Sequence, residues 1–594
     1  MTETINGLKR TNYCGDLRKD DFNKEIILTG WVQRRRPLGG LIFITLRDRT
    51  GIIQLVFNEE KNKTLFDKAY NLRNEFIIGV KGVVKLREDN AKNDNMETGD
   101  IEIEVSELRV LSQAENTPFE ILDNITTSEE VRLKYRYLDL RRPEMQKNLI
   151  FRHNAVRAAR EFFYENNFIE IDTPMLMKPT PEGARDYLVP SRLHEGKFYA
   201  LPQSPQLYKQ LLMLSGFDRY FQFARCFRDE DLRADRQPEF TQIDFEMSFV
   251  EVDDVLDINQ KFLQYLFKKT LNYDVELPIQ RMPYREAMSR FGSDKPDLRF
   301  GFEIIDISNN VANCDFSVFT NAVSNGGSVR AINVKGYADK FSRKAIDSLT
   351  EFVRGIRASG IAWCKNVNNE ISCSFNKFMN QETLDDIYKQ TNFENGDLLL
   401  IIADQKNSIV LSSLGALRVE IAKRLELVNK NEFKFVLITE FPFLDFDEEN
   451  NEYVAMHHPF TSPMIEDLEY IETDPSRVRA KAYDVVLNGV ELGSGSIRIS
   501  NPELQSKMFD LIGLTKEDAN EKFGFLIDAF KYGAPPHGGF AFGVDRLMML
   551  MVGATSLRDV IAFPKVQNAS ELMTNSPTNV DNLQLNELNI SIKK

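Results

Sequence analysis

The 594-residue sequence has few cysteines and few histidines, five of each, and it contains no Cys-x-x-Cys pair. Because the five cysteines are scattered and odd in number, we expect neither a disulfide framework nor a structural zinc site. The longest apolar runs fall short of the roughly eighteen residues that a membrane-spanning helix needs. The N-terminal residues Met1–Arg10 are polar and lack the apolar core of a signal peptide, so we expect a cytoplasmic protein.

Basic residues are also in deficit, since 75 Lys and Arg face 89 Asp and Glu and leave a net charge of −14. A chain this acidic does not bind nucleic acid or a membrane through its overall field. The charge is uneven, because Gly30–Asn58 carries five Arg and one Asp whereas Glu440–Pro475 carries eleven acidic residues and no Lys or Arg. A polyanionic partner is therefore expected to meet a local basic face in the first of these segments.

The N-terminal part of the chain is rich in short runs of Ile, Val and Phe separated by turn residues. One helical pattern, Lys61–Arg73, lies between the third and fourth runs. This order favours a five-stranded barrel of the OB type over other small β-barrels. The predicted strands are Ile26–Val32, Leu41–Arg47, Ile52–Phe57, Phe76–Leu86 and Ile101–Leu108.

The remainder of the chain reads as a mixed α and β protein. Residues Ala114–Glu144 are polar and lack a clean period, and we expect a hinge there. Residues Tyr284–Leu425 differ in composition from the flanking sequence, because they contain Asn- and Gly-rich turns and few candidate catalytic groups. This difference indicates an inserted α+β domain. The predicted helices outside this insertion are Glu144–Asn166, Leu504–Leu511, Glu517–Tyr532 and Val544–Val552.

A charged loop near Arg228 is the first segment whose side chains could form a functional site. Arg228 is followed by Glu230, and Phe240 lies on the next predicted strand. An arginine can neutralise a phosphate, a glutamate can accept a hydrogen bond from an exocyclic amine, and an aromatic ring can stack on a purine. A solvated hairpin tip is the alternative interpretation.

Two further segments support a nucleotide site. Glycines precede a predicted helix in Gly538–Arg546, where close backbone approach and a helix N-terminus favour an anion, although simple packing is the alternative. Asp484 and Glu491 flank a hairpin turn at Asn488-Gly489, and two such carboxylates can hold Mg²⁺ with nucleotide phosphates. An ordinary hairpin with charged edges is the alternative for this last segment.

Together these segments resemble the class II aminoacyl-tRNA synthetases, and within them the bacterial-type aspartyl branch. Ser494 and Val544 depart from the Gly and Leu that are usual in the family, but neither change removes a charged group. The matching segments are Phe168–Pro174 (motif 1), Phe227–Asp244 (motif 2), Gly538–Arg546 (motif 3), Pro181–Tyr187 (mobile active-site loop), Ser204–Lys209 (amino-acid pocket) and Trp31–Phe43 (anticodon-binding barrel).

The resemblance implies an α+β fold in which an N-terminal five-stranded OB β-barrel precedes an antiparallel-sheet catalytic domain with an inserted α+β domain of the GAD type. It also implies a homodimer, through motif 1. The expected boundaries are 1–113 for the barrel, 114–143 for the hinge, 144–284 and 426–563 for the two parts of the catalytic domain, 285–425 for the insertion and 564–594 for a C-terminal extension.

The implied activity is that of an ATP-dependent aspartate–tRNA ligase, which forms aspartyl-adenylate and then charges tRNA-Asp. Arg228, Glu491 and Arg546 are the implied catalytic residues, and Asp484 and Glu491 the implied Mg²⁺ ligands, with ATP as co-substrate and no zinc. Aspartate contacts are implied for Glu182, Ser204, Gln206, Lys209, Arg228, Asp244, His457 and Arg498, with His458 as an alternative to His457. ATP contacts are implied for Arg228, Asp229, Glu230, Gln237, Phe240, Glu491, Gly543, Val544, Asp545 and Arg546, and anticodon contacts for Arg34, Arg36, Phe43 and Gln54.

Several alternatives stay open. A relaxed enzyme would also aspartylate tRNA-Asn, but Leu38 stands where such forms often carry His, which favours the strict form. Asparaginyl- and lysyl-tRNA synthetases share barrel and core, yet the insertion and the Lys209 and Arg498 pair argue against them. A non-catalytic tRNA-binding paralogue predicts decay of Arg228, Glu491 or Arg546, all of which are present. A tRNA-independent aspartate-activating ligase would leave the barrel unexplained.

Overall fold

The computed structural model describes residues 2–180, 183–232, 236–447 and 450–593. It divides into two compact units, one formed by Met1–Arg152 with Arg558–Asn579 and the other by His153–Leu557 with Val580–Lys594. Within the described residues, no helix has the length and apolar character needed to cross a membrane.

The first unit contains a closed five-stranded barrel with strand order β1-β2-β3-β5-β4, which confirms the predicted OB barrel. Inward positions such as Ile42, Ile44 and Leu46 are buried, and the alternate positions face outward, as the two-residue period of a strand requires. Its elements are β1 (Glu25–Leu38), β2 (Leu41–Asp48), β3 (Gly51–Asn58), α1 (Lys63–Tyr70), β4 (Ile77–Leu86) and β5 (Ile101–Ser112).

The first strand extends six residues beyond its predicted end. Arg34–Leu38 continues the antiparallel pairing with Leu41–Thr45 although it carries no apolar run, because pairing with β2 satisfies its backbone groups. The result is an exposed arginine-rich arm on the barrel.

The predicted hinge holds regular structure that sequence periodicity did not reveal. Two short helices, α2 (Glu129–Lys134) and α3 (Arg136–Asp139), lie in it, and the predicted helix Glu144–Asn166 follows as α4 (Pro143–Glu165). Asp139 is buried and accepts hydrogen bonds from Arg136 (2.6 Å) and Arg142 (2.8 Å). Arg136 also donates to the backbone carbonyls of Arg558, Ile561 and Ala562. Buried charged hydrogen bonds therefore order this segment together with a small apolar cluster of Phe119, Ile121 and Leu138.

The second unit is built on an eight-stranded sheet whose central strands are antiparallel. Its first elements are β6 (Ile169–Glu170), β7 (Leu188–Pro190), β8 (Phe198–Ala200), α5 (Gln206–Leu214), β9 (Arg219–Phe227), β10 (Glu239–Ser248), α6 (Val252–Leu271), β11 (Arg281–Pro283) and α7 (Tyr284–Phe291).

A separate five-stranded sheet follows, with order β12-β13-β16-β14-β15 and its own buried core. The elements of this inserted segment are β12 (Ile304–Asp306), α8 (Ser308–Val311), α9 (Ser317–Ser324), β13 (Ser328–Val334), α10 (Arg343–Arg354), β14 (Ala362–Val367), β15 (Glu370–Cys373), α11 (Gln381–Gln390), β16 (Leu398–Asp404) and α12 (Asn407–Arg424).

The sequence predicts no disulfide framework, but one pair of cysteines in this segment is bonded. Cys364 on β14 and Cys373 on β15 lie directly opposite each other, with 4.1 Å between their Cα atoms, and form a disulfide. Only the strand pairing brings them together, which is why their spacing in the sequence did not indicate it.

The chain then returns to the large sheet. Its order is β11-β17-β20-β21-β22-β10-β9-β6, so three strands that are distant in sequence, β10, β21 and β22, become neighbours. The remaining elements are β17 (Phe435–Thr439), β18 (Leu444–Asp447), β19 (Glu452–Ala455), β20 (Ala482–Leu487), β21 (Val490–Ile497), α13 (Pro502–Leu511), α14 (Lys516–Phe530), β22 (His537–Gly543), α15 (Val544–Val552) and α16 (Asn582–Glu587).

Candidate active site

The register of the three central strands, β10, β21 and β22, determines which candidate site residues lie close together. Asp244 on β10 is opposite Ala541 on β22, and Ala541 is opposite Ser494 on β21. Two residues further along, Glu246 is opposite Gly539, which in turn is opposite Ser496. Because residues two apart on a strand share a face, Asp244 and Glu246 point to the same side of the sheet.

Four buried charged side chains meet on that side. Lys209 of α5 contacts Asp244 at 2.7 Å and Glu246 at 3.1 Å. Arg498, just after β21, binds Glu246 with two parallel hydrogen bonds of 2.8 and 3.0 Å. All four are at most 4% exposed. The two cations are thus held in fixed orientations, as a point charge and a planar fork.

The surroundings shift the protonation of the two carboxyl groups in opposite directions. Burial raises the pKa of Asp244 to about 6, against the opposing effect of Lys209. Burial also acts to raise the pKa of Glu246, but the charges of Arg498 and Lys209 outweigh it and lower that pKa to about 2. Glu246 is therefore the firmly ionised partner that holds both cations.

His458 lies against the same arginine. Its Nε2 is 2.6 Å from Nη1 of Arg498, while its Nδ1 accepts the backbone N–H of Phe460 at 3.1 Å. Burial, and next the charge of Arg498, lower the pKa of His458 well below its ordinary value. The ring is therefore neutral at neutral pH. His457 points elsewhere, with its Nε2 3.6 Å from Asp484.

A cavity of about 410 Å³ opens above this cluster. Of the residues predicted to contact aspartate, ATP or Mg²⁺ that the structure describes, Asp229, Asp484 and Val544 are not among its lining residues, and Glu182 lies outside the described residues. The predicted residues that line it are Ser204, Gln206, Lys209, Arg228, Glu230, Gln237, Phe240, Asp244, His457, Glu491, Arg498, Gly543, Asp545 and Arg546.

The loop between β9 and β10 supplies one wall of the cavity. The guanidinium of Arg228 lies over the ring of Phe240, 5.1 Å from its centre, and its buried Nε has no hydrogen-bond partner among the described residues. Glu230 pairs with Arg236 at 2.8 Å, and Asp229 with Arg185 at 3.6 Å. A cation, a carboxylate and an aromatic ring are thereby brought together as the sequence predicted.

The glycine-rich strand and the helix after it supply the opposite wall. Strand β22 ends at Gly543, and α15 begins at Val544, which is buried in the core. In its first turn, Asp545 accepts the backbone N–H of Thr241 (3.1 Å) and Arg546 donates to the carbonyl of Glu491 (2.8 Å). Asp545 therefore ties the helix to β10, and Arg546 ties it to β21.

Asp484 and Glu491 come together across the hairpin of β20 and β21. Asp484 is paired with Ser494 and Val486 with Glu491, so both acidic side chains lie on one face. Oδ1 of Asp484 is buried and has no hydrogen-bond partner among the described residues, while burial and the charge of Asp484 raise the pKa of Glu491. A buried carboxylate whose charge is disfavoured by a second carboxylate nearby is suited to sharing a divalent cation with it.

These two oxygen donors fit Mg²⁺ rather than a metal that needs a full protein cage. Across the described ranges, no group of three or more His, Cys, Asp or Glu is placed to hold a metal ion. Mg²⁺ typically takes only one or two carboxylates and completes its shell with water and substrate phosphates.

The barrel presents a second set of predicted residues. Arg34 and Arg36 are exposed on the arm of β1, and Arg36 lies over the ring of Phe43, 5.2 Å from its centre. Phe43 faces outward because its neighbours Ile42 and Ile44 fill the core. Gln54 also faces outward, where it donates to Glu102 at 2.9 Å. Cations, an aromatic ring and an amide share the outer surface of the barrel.

Sequence reasoning missed Glu246 as a site residue. It lies two positions after Asp244, so the strand period places both on one face, and that period is the signal that could have identified it. Ser496 was missed as well, although its hydroxyl accepts a hydrogen bond of 2.6 Å from Arg498.

Comparison with known proteins matches both parts of this architecture. Residues 128–567 match the family model described as tRNA synthetases class II (D, K and N), and residues 26–111 match an OB-fold nucleic acid binding domain. The first match spans most of the chain and includes every element that lines the cavity.

The chain belongs to the class II tRNA synthetases. This confirms the family resemblance and the fold class predicted from the sequence.

Curated relatives of this synthetase align along the whole chain. An aspartate–tRNA ligase of Ruminiclostridium cellulolyticum is 60% identical and covers 100% of both chains. An aspartate–tRNA(Asp/Asn) ligase of Caldanaerobacter subterraneus subsp. tengcongensis is 55% identical with the same coverage. The relatives of this synthetase thus include enzymes named aspartate–tRNA ligase and enzymes named aspartate–tRNA(Asp/Asn) ligase.

Solved structures agree at the level of the fold. An asparaginyl-tRNA synthetase from Pyrococcus horikoshii, complexed with asparaginyl-adenylate, has a TM-score of 0.59 at 18% identity and covers 94% of this chain and 98% of its own. An aspartyl-tRNA synthetase from Entamoeba histolytica has a TM-score of 0.57 at 20% identity, with 94% and 92% covered.

Proposed function

We propose that this synthetase is an aspartate–tRNA ligase. It activates L-aspartate with ATP to form aspartyl-adenylate and pyrophosphate, then transfers aspartate to the 3′ end of tRNA-Asp. The observation that carries the proposal is the pair of buried cations, Lys209 and Arg498, at the base of a cavity in a class II synthetase. Curated relatives of 55 to 60% identity that bear this activity in their names support it.

Lys209 and Arg498 recognise the side-chain carboxylate of aspartate. Glu246 and Asp244 hold both cations in place, so their orientation is set before the substrate binds. Asparagine offers no charge to these cations and would leave them partly uncompensated in a buried pocket, which costs on the order of a few kcal/mol. Ser204, Gln206 and Glu182 contact the α-ammonium of the substrate, and His457, or alternatively His458, lies near it.

Activation is an in-line displacement at phosphorus. An oxygen of the α-carboxylate of aspartate attacks the α-phosphorus of ATP. The bond from that phosphorus to the oxygen bridging the α- and β-phosphates breaks, and pyrophosphate leaves. Negative charge on the phosphate oxygens calls for fixed cations rather than a protein nucleophile. Arg228 neutralises the α-phosphate and Arg546 the terminal phosphate, while Glu230 accepts from the adenine amine and Phe240 stacks on the ring.

The remaining nucleotide contacts come from neighbouring backbone and side chains. Gln237 and Asp229 help to hold ATP, and Gly543, Val544 and Asp545 form the strand end and helix start beside it. Asp484 and Glu491 would hold Mg²⁺. When bound, Mg²⁺ neutralises charge on the phosphate oxygens.

The second step transfers the aspartyl group. A hydroxyl of the 3′-terminal ribose attacks the carbonyl carbon of the adenylate, the bond to phosphate breaks, and AMP leaves. The outer face of the barrel selects the tRNA, since OB folds bind unpaired bases by stacking and cationic grooves. Arg34, Arg36, Phe43 and Gln54 are the proposed anticodon contacts.

A relaxed enzyme that also aspartylates tRNA-Asn is the second candidate. It is favoured by the names of relatives such as that of Caldanaerobacter, which is 55% identical. Leu38, exposed at the end of the β1 arm, favours the strict form.

The proposal extends to the setting of the enzyme. We infer a homodimer formed through motif 1 and a cytoplasmic location, and we retain 1–113, 114–143, 144–284, 285–425, 426–563 and 564–594 as the domain boundaries. The segment-wise resemblance to the family supports each of these.

Aminoacylation of purified tRNA-Asp and tRNA-Asn with aspartate tests the function. We expect efficient charging of tRNA-Asp and at most weak charging of tRNA-Asn. Similar charging of both would replace the strict reading with the relaxed one. Failure to charge either, with tRNA shown to be active by a control synthetase, would contradict the proposed function.

A further inference from the structure

The inserted segment is connected to the catalytic sheet at the hairpin that carries Asp484 and Glu491. Its entry connection runs from α7 to β12 through residues 292–303, and its exit connection runs from α12 to β17 through residues 425–434. The exit connection contacts Asn488, one of the two turn residues of the β20–β21 hairpin, and the entry connection packs on the other, Gly489.

The exit connection holds the turn through Asn488. Oδ1 of Asn488 accepts the backbone N–H of Lys434 at 2.9 Å, and its Nδ2 donates to the carbonyl of Glu432 at 2.8 Å. Its own backbone N–H donates to the carbonyl of Lys434 at 3.1 Å. Asn488 has a positive φ of 53°, a conformation that asparagine tolerates better than most residues. The side chain of Asn488 thus fixes the turn to the exit connection.

The entry connection packs on the turn through Asp297. Gly489 has a φ of 82°, and a Cβ placed there would lie only 3.1 Å from the Cβ of Asp297. Asp297 is itself buried and rigidly held, because its carboxylate accepts from the backbone N–H of Arg299 (3.0 Å) and from that residue's guanidinium (3.0 and 2.7 Å). The turn therefore rests on a fixed surface.

Arg418, from helix α12 of the inserted segment, holds the entry connection in turn. It is 1% exposed, and its Nη2 donates to the carbonyls of Asp297 (3.0 Å), Phe300 (3.3 Å) and Gly301 (3.1 Å). Its guanidinium lies between the rings of Phe291 and Phe300, at 4.8 and 4.6 Å from their centres. A buried arginine that satisfies three carbonyls fixes the path of the chain.

We propose that the two connections of the inserted segment form a clamp on the β20–β21 turn, and that Asn488, Asp297 and Arg418 are positioning residues for the carboxylates of Asp484 and Glu491. The clamp gives the inserted segment a role in ATP activation. Glu491 lies two residues after Gly489, so loosening the turn displaces it directly. Outer partners that orient metal ligands typically contribute about 10- to 100-fold in metal affinity.

The inference rests on the proposed role of Asp484 and Glu491 as ligands for Mg²⁺ with ATP. The test variant is Asn488→Ala, which removes both side-chain hydrogen bonds of the turn. The matched control is Asn333→Ala, because Asn333 of β13 is buried in the inserted segment and its amide also donates to backbone carbonyls, those of Thr391 and Asn392 at 3.1 Å each. Asp297→Asn is a second, milder variant.

Three readouts separate positioning from general stability. Hydrogen exchange of the backbone amides of residues 488–494 reports the turn itself, Mn²⁺ titration followed by electron paramagnetic resonance in the presence of ATP reports the metal site, and pyrophosphate exchange gives KM for ATP and for aspartate. For Asn488→Ala we expect faster exchange at 488–494 and about tenfold weaker Mn²⁺ binding and higher KM for ATP. KM for aspartate should change less than about twofold, since Arg498 and Lys209 are untouched.

Asn333→Ala should match the wild type in all three readouts. The clamp is overturned if Asn488→Ala and Asp297→Asn keep wild-type exchange and Mn²⁺ binding, or if Asn333→Ala reproduces their losses. Glu491→Gln distinguishes this result from failure of the proposed function. If Glu491→Gln abolishes pyrophosphate exchange while the turn variants are inert, only the clamp fails; if Glu491→Gln stays fully active, the metal assignment beneath it fails.

Discussion

At the scale of single residues, the site depends on charges that are buried in compensating pairs. Lys209 and Arg498 carry two positive charges, and Asp244 and Glu246 carry two negative ones at the pH where both are ionised. A buried charge that loses its partner typically costs about 3–5 kcal/mol. The four residues are therefore expected to act as one unit in both folding and substrate binding.

Replacing Arg498 tests this unit directly. Arg498→Leu removes the fork proposed to bind the substrate carboxylate and leaves Glu246 with Lys209 as its remaining cation at 3.1 Å. We expect aspartate-dependent pyrophosphate exchange to fall more than about a hundredfold while the fold survives, because losing one partner of a buried pair costs about 2–5 kcal/mol. Arg343→Leu, at an exposed position of α10 in the inserted segment, is the control. Near-normal exchange in Arg498→Leu would contradict the assignment.

His458 makes a prediction about acid stability. Its pKa in the folded protein lies well below the ordinary value of 6.5, so the unfolded chain binds a proton there more readily than the folded one. The stabilising contribution of neutral His458 is thus complete above pH 6.5 and is lost as the pH falls below that value, by at most about 1.4 kcal/mol per pH unit.

The His458→Gln variant should accordingly lose less stability on acidification than the wild type. The urea midpoint of unfolding, measured at intervals between about pH 7.5 and about pH 5, gives the comparison. His194→Gln, at an exposed position, serves as the control and should follow the wild-type curve. Parallel curves for wild type and His458→Gln would show that the ring does not carry this linkage.

At the scale of elements, the site is made by the close approach of β10, β21 and β22. Gly539 of β22 lies opposite both Glu246 and Ser496, and a side chain there would overlap the carboxylate of Glu246 and the carbonyl of Phe245. Glycine at this position lets the charged cluster lie flat against the strand. The glycines of β22 therefore have a packing role in addition to any nucleotide contact.

Two glycine-to-alanine substitutions, which we expect to change stability in opposite directions, test this packing role. Gly539→Ala should destabilise the second unit by about 1–3 kcal/mol, as overpacking does, and should sharply reduce aspartate activation. Gly524→Ala should stabilise helix α14 by up to about 1 kcal/mol, because a Cβ at Gly524 meets no atom closer than 4.0 Å and alanine favours helix. Thermal unfolding of both variants is the measurement. Equal effects in both would mean that the contact with Glu246 is not decisive.

At the scale of the whole molecule, charge is distributed by function. The net charge is −14, yet the arm and face of the barrel expose Arg34 and Arg36 beside Phe43. An acidic molecule with a small cationic face should bind tRNA locally and disfavour non-specific polyanion binding. The barrel face and the ionic pocket belong to different compact units, so substitutions on one are expected to leave the chemistry of the other intact.

The double variant Arg34→Ala with Arg36→Ala should weaken tRNA charging by raising KM for tRNA. Loss of two phosphate or base contacts should also lower the salt dependence of tRNA binding, so that about one to two fewer counterions are released on binding. ATP–pyrophosphate exchange without tRNA should be unchanged. Arg157→Ala, an exposed arginine of α4 paired with Glu161 at 3.0 Å, is the control. A parallel fall in pyrophosphate exchange would indicate that these arginines act on the catalytic unit.

Local pattern predicted much of the fold. The alternation of Ile42, Ile44 and Leu46 predicted a barrel strand, and glycines before Val544 predicted the start of α15, whose bounds Val544–Val552 match the prediction. Local pattern failed where charge replaces apolar periodicity. Helix Arg136–Asp139 holds a buried ion pair between Arg136 and Asp139, and Arg136 also donates to the backbone carbonyl of Arg558, a partner far along the chain that no local window contains.

Short-range periodicity and residue identity specify the types of element, the chemical groups and, through the spacing of the motifs, the family. Which groups meet depends on the folded chain: Glu246 with Arg498, Cys364 with Cys373, and Asn488 with Glu432 and Lys434. These contacts join residues on different strands and connections, and their partners are fixed by strand order and register, which a linear pattern does not encode.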